Sequence, residues 1–186
     1  MAPIEVFFGA IIFIFMLIGL ARGFLKELGV TMVLMFLLFF LSTFNTQLDS
    51  GMARALDMGT KVGLVSNRDR MQCLLYLFVI VAATFVSYQG ETLGFGGQAP
   101  RGGQGIALGA LTGLLNGYLV AGSLWYYLDK FDYPIEFLGF TADKLSDLAR
   151  AILPFLPVDF LGKPLLFGQS LLLYLSMMLL LARVIR

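Results

Sequence analysis

Apolar and polar positions fall into long blocks along this chain. Five apolar blocks stand out, at residues 4–21, 28–44, 73–88, 105–128 and 165–182. Apart from Glu5 at the start of the first, none contains Asp, Glu, Lys or Arg. Roughly 17–25 such residues in a helix cross a bilayer. The pattern therefore predicts an all-α, polytopic integral membrane protein with four to five transmembrane helices. The third block gains length by extending into its flanks. The fifth can be read as a span or as a buried or interfacial helix, and its near-continuous leucine favours a span. No basic stretch precedes the first block and no small-residue cleavage site follows it, so it is expected to be a retained span.

The polar connections differ in texture. Between the first two blocks lies Arg22-Gly-Phe-Leu-Lys-Glu27, a tight helical hairpin. Arg22 and Lys26 suit the end of one helix, Glu27 suits the start of the next, and Gly23 supplies the turn. Residues 45–72 form a long connection in which Asp49 and Ser50 are expected to cap a short helix running to Met58. Residues 90–103 are a glycine-rich loop. Residues 134–154 read as an amphipathic helix with proline at both ends, lying at the membrane surface. Its polar side carries Glu136, Asp143, Asp147 and Arg150, and its apolar side Leu138, Ala142, Leu145, Leu148, Ala149 and Ile152. Trp125, Tyr126, Tyr127 and Tyr133 are expected to form an interfacial aromatic belt. The chain thus divides into a membrane region at 1–128, an amphipathic surface segment at 129–164 and the fifth helix at 165–186.

Within the fourth block, GIALGALTGLLNG sets Gly105, Gly109, Gly113 and Gly117 four residues apart. A phosphate-binding loop needs a lysine after its last glycine, and Tyr118 stands there. A dinucleotide site needs a preceding strand and a βαβ unit, which the pattern does not offer. Small residues four apart do suit close helix packing in lipid, where apolar surface alone gives helices little reason to associate. Packing inside this chain is the favoured reading over self-association. Asn116 and Thr112 are the polar members of this block, and Asn116 is expected to bond to a neighbouring helix.

Composition sharpens the picture by exclusion. Hydrophobic residues make up 59% of the 186 and charged residues 13%, which places the chain in lipid. The mean hydropathy of +0.86 agrees. A net charge of +1 with no basic tract argues against nucleic acid. With no histidine and a single cysteine, Cys73, the usual general base, histidine-ligated haem or pigment, zinc sites and intrachain disulfides are not expected. No catalytic residues and no metal ligands are predicted, so the chain reads as a non-enzyme.

The hairpin run Ala21-Arg22-Gly23-Phe24-Leu25-Lys26-Glu27-Leu28 after a first apolar helix resembles the opening of the colicin V production protein family. The glycine-spaced run from Gly109 to Gly117 is similar to that family's second hallmark. The likeness covers residues 1–128. Two features depart from it: Asn116 stands where family members often carry a basic residue, and the block from Leu165 lies beyond the usual four spans. The resemblance implies a small multi-pass protein of the bacterial inner membrane with no established catalytic activity. The expected role is a scaffold or accessory protein acting through helix contacts, with membrane lipids and other membrane subunits as partners. The alternatives are an accessory subunit of a large respiratory or photosynthetic complex, holding lipid or pigment by shape, and a channel or transporter component. The last would have Thr31, Ser42, Thr84, Asn116 and Gln169 converge on one path.

Overall fold

The computed structural model of the protein describes residues 3–61, 67–90, 95, 96, 98, 100, 102–135 and 138–184. It is a helical membrane bundle. The first four long apolar helices are α1 (Ile4–Arg22), α2 (Phe24–Thr43), α4 (Arg68–Gln89) and α5 (Gly103–Lys130), and each is long and apolar enough to cross a membrane. Between α2 and α4 lies the polar helix α3 (Asn45–Lys61). Call the face where α1 begins the first face and the face of the α1–α2 turn the second. The path then runs first to second in α1, back in α2, across again in α4 and back in α5.

Only Gly23 separates α1 from α2, at φ +85°, a left-handed value that a side chain resists. At the other end of α2 only Phe44 intervenes before α3. The helix expected to start at a cap on Asp49 therefore begins earlier, at Asn45, and Asp49 turns its side chain to other work. Helix α2 lies at the centre of the bundle. Its Leu34 and Leu38 are buried with Ile80 of α4, Leu119 of α5 and Leu172 of α8 (Leu171–Val184). Helix α1 instead packs mainly against α5. Its outer side exposes Val6, Phe7, Phe13, Ile14 and Leu17, which suits a lipid-facing helix.

The region after α5 corrects two expectations. Among the described residues of 134–154 no continuous amphipathic helix forms. Gly139 takes φ +69°, a one-turn 3-10 helix covers Ala142–Lys144, and α6 is confined to Asp147–Ile152. Ser146 restarts the helix by accepting a hydrogen bond from the Ala149 amide at 3.0 Å. Of the apolar positions predicted to face inward, Ala149 is buried but Leu148 is exposed; Glu136 lies outside the described residues. A second one-turn 3-10 helix, Leu153–Phe155, leads into α7 (Pro157–Gly162), which tucks against α2 and α5. The Tyr118 hydroxyl donates to the Phe155 carbonyl at 2.6 Å and anchors this segment.

The fifth block also starts later than expected. Pro164–Leu166 (β1) and Gln169–Ser170 (β2) form a small antiparallel hairpin whose turn places Phe167 and Gly168 at positive φ. The helix that follows, α8, has 14 residues. At 1.5 Å per residue it reaches about 21 Å, short of a hydrocarbon core of about 30 Å. It packs along α2.

The aromatic belt is corrected as well. Trp125, Tyr127 and Tyr133 are buried in the protein. Trp125 Nε1 donates to the Tyr133 hydroxyl at 3.0 Å, and that hydroxyl donates to Asp129 Oδ1 at 3.0 Å. These rings fasten the chain leaving α5 back onto the bundle.

Candidate functional site

Two clusters of polar groups lie inside this apolar bundle, one towards each face. At the second face they surround Glu27. Because Gly23 turns the chain so tightly, Arg22 at the end of α1 and Glu27 in the first turns of α2 meet, with Arg22 Nη1 3.1 Å from Glu27 Oε1. Glu27 is wholly buried, whereas the Arg22 side chain remains 24% exposed. Two more helices complete the site. The Tyr88 hydroxyl, at the end of α4, donates to Glu27 Oε2 at 2.7 Å, and Asn116 Nδ2, in the middle of α5, donates to the same oxygen at 2.8 Å. Asn116 Nδ2 also lies 3.1 Å from the Glu27 carbonyl. Thr31 Oγ1, one turn further along α2, lies 2.8 Å from Asn116 Oδ1 and 3.0 Å from that carbonyl. The guanidinium of Arg22 stacks over the Tyr88 ring with Cζ 4.5 Å from its centroid.

One carboxylate thus joins all four long helices. Both its oxygens are engaged, one by a cation and one by two neutral donors. A buried charge is tolerated when it is both paired and hydrogen-bonded, and this one is. Charge-assisted bonds of this kind are also stronger than neutral ones. The arrangement is suited to holding helices together.

The first face carries a matching cluster around Asp49 of α3. Asp49 accepts from Gln72 Nε2 at 3.2 Å, from the Tyr76 hydroxyl at 2.7 Å and from Lys130 Nζ at 2.6 Å. Tyr76 in turn stacks on Tyr127, with ring centroids 4.2 Å apart and planes 10° from parallel. Asp49 therefore pins α3 to α4 and α5. Outside the spans, Asp159 in α7 has its carboxyl held above the ordinary range, chiefly because it is partly buried.

The glycine run forms a close-packed part of the interior. A side-chain carbon on Gly113 would strike the Phe15 carbonyl, and one on Gly109 would lie 2.7 Å from the Gly19 carbonyl. On Gly117 it would lie 2.7 Å from the Ile12 Cα. These three face α1, antiparallel to α5. Gly105 departs from the run: its added carbon would strike the Pro100 carbonyl, so it accommodates the loop before α5 and not another helix. On α1 the partner glycine is Gly19, which with Gly23 repeats the same four-residue spacing. Thr112 Oγ1 bonds back to the Leu108 carbonyl of its own helix at 2.8 Å.

The structure brings Arg22, Gly23, Glu27 and Asn116 together. It adds Thr31 and Tyr88 at the same site, and Asp49, Gln72, Tyr76 and Lys130 at the other. Tyr88 closes the third apolar block without any local signal of this role, and only the register of α4 against α2 turns it towards Glu27. The polar residues that would line a path do not share one. Thr31 and Asn116 meet, Thr84 Oγ1 bonds to the Ile80 carbonyl, Ser42 abuts Gly162, and Gln169 sits in the exposed hairpin. Among the described residues no three His, Cys, Asp or Glu side chains gather as metal ligands.

Compared with known proteins, the chain matches no family model, no curated protein and no solved structure.

Proposed function

We propose that this chain is a non-catalytic scaffold or accessory protein of a bacterial inner membrane, acting through helix contacts with other membrane subunits. The observation that carries this reading is the division of labour within the bundle. Glu27, Asn116 and Asp49 spend their polar capacity tying this chain's own helices together. Helix α1 is seated on α5 by its glycine face, while Phe13, Ile14 and Leu17 point outward. An exposed apolar face of this kind meets either lipid or a partner's spanning helix, and here we assign Phe13, Ile14 and Leu17 to a partner. The colicin V production family, which the α1–α2 hairpin resembles, supports the same location.

The test uses a cysteine at Ile14 in the full chain, in native membranes. Cys73 is fully buried and offers little competing reactivity. A short thiol-linked diazirine at this position, whose carbene inserts into C–H bonds and so needs no amine within the lipid, is expected to trap one discrete membrane-protein adduct, and none from the corresponding cysteine at Leu34, which is buried. Absence of any discrete adduct from position 14 counts against the proposal.

A further inference from the structure

Near the second face, α1 and α4 touch. The Phe15 and Tyr88 rings meet edge to face with centroids 5.5 Å apart. Towards the first face the two helices part over α5 and leave a cleft of about 560 Å³. Its walls are Phe8 and Ile11 of α1, Leu77 and Val81 of α4, and Leu124 and Trp125 of α5. This volume lies within the ~300–1,000 Å³ of ordinary ligand sites. At its upper end Ile4 and Phe140 are shared with a second cavity, of about 380 Å³, whose lining changes character. There Glu5, Thr141, Lys144 and Ser146 bring one acid, one amine and two hydroxyls together. Ser146 donates to Glu5 Oε1 at 2.6 Å.

We propose that these two adjacent cavities together bind one phospholipid of the first-face leaflet, its acyl chain in the α1–α4 cleft and its amine-bearing zwitterionic headgroup in the neighbouring polar cavity. The order of chemistry along the cleft follows a lipid: apolar towards the middle of the bundle, polar where the chain meets water. Opposite charges at the head end match a zwitterion. Lys144 pairs with the phosphate and Glu5 with the ammonium. The contact of Phe15 with Tyr88 stops the cleft part-way through the bundle. A lipid tail fits such a blind cleft, whereas a partner's spanning helix needs a groove that continues across both leaflets. The site does not depend on the scaffold reading.

Native mass spectrometry of the full chain in mild detergent tests this with palmitoyl-oleoyl phosphatidylethanolamine and its phosphatidylglycerol counterpart. The expected result is one retained phosphatidylethanolamine, held in preference to phosphatidylglycerol. Val81→Trp fills the cleft from a half-exposed wall position and should lower retention about tenfold, a change of about 1.4 kcal/mol. Ile11→Trp fills it from the opposite wall and serves if Val81→Trp alters the fold. Glu5→Gln with Lys144→Gln should abolish the headgroup preference. Phosphatidylethanolamine should also raise the melting temperature of the unmodified chain more than phosphatidylglycerol does. Equal retention and equal stabilisation by the two lipids, or retention unmoved by tryptophan in a variant that melts like the parent, would overturn the proposal in favour of ordinary boundary lipid.

Discussion

Glu27 concentrates more of this structure than any other side chain. Its carboxylate is buried, is shared among Arg22, Tyr88 and Asn116, and lies where α1, α2, α4 and α5 come together. Removing Glu27 leaves Tyr88 and Asn116 without this acceptor, while the partly exposed Arg22 can turn to water, so the cost is about 1–3 kcal/mol. Glu27→Ala is therefore expected to lower thermal stability in detergent by that order. The exposed pair of Arg68 with Asp57 gives the contrast, since Arg68→Ala should change stability by less than about 1 kcal/mol. Equal melting of the two variants would show that the Glu27 cluster does not hold the helices. Asp159 adds a pH-dependent effect. Its folded pKa lies above the unfolded value, so the folded state keeps its proton to higher pH. Stability should fall as pH rises through the carboxylate range, and Asp159→Asn should remove that part of the fall. A denaturation series across acidic pH checks this, with an unchanged slope in the variant as the contrary result.

At the scale of elements, the contact of α1 with α5 is the most specific. Gly113 faces the backbone of Phe15 and Met16, so Gly113→Ala forces the helices apart. Overpacking of this sort costs about 1–3 kcal/mol, and Gly113→Leu should go further and detach α1. Gly9 has open space around it, so Gly9→Ala should be neutral or stabilise by up to about 1 kcal/mol through helix propensity. Thermal unfolding of the two alanine variants side by side decides the matter, and a Gly113→Ala melt as high as the parent's would contradict it. The four long spans and the Gly23 hairpin were legible in the sequence because lipid demands long uncharged helices and the α1–α2 turn needs φ +85°. The segment after α5 was less legible. A helical wheel over 134–154 assumes continuous helix, and it cannot register that Gly139 and Ser146 break the run locally. Likewise the leucines of 165–182 do not reveal that Phe167 and Gly168 turn a hairpin before α8.

The candidate site was legible only in part, and the reason is a property of the whole molecule. Glu27 and Arg22 looked like helix-end charges at a membrane edge, and Asp49 like a cap. Each is instead a hub, because antiparallel packing brings distant residues to the same depth: Asn116 lies 89 positions from Glu27, and Lys130 lies 81 from Asp49. Such long-range register does not show in a local pattern. With both ends of the bundle fastened internally, the contacts proposed for this protein fall to its apolar rim, above all to α1. The particle mass of the full chain, extracted from its own membrane in mild detergent, tests that most directly when compared between the parent and Ile14→Arg. The account predicts a parent particle larger than a lone chain in its detergent belt, and dissociation in Ile14→Arg with the melting temperature of the isolated chain preserved. A parent that runs as a lone chain, or a particle unchanged by Ile14→Arg, would contradict it.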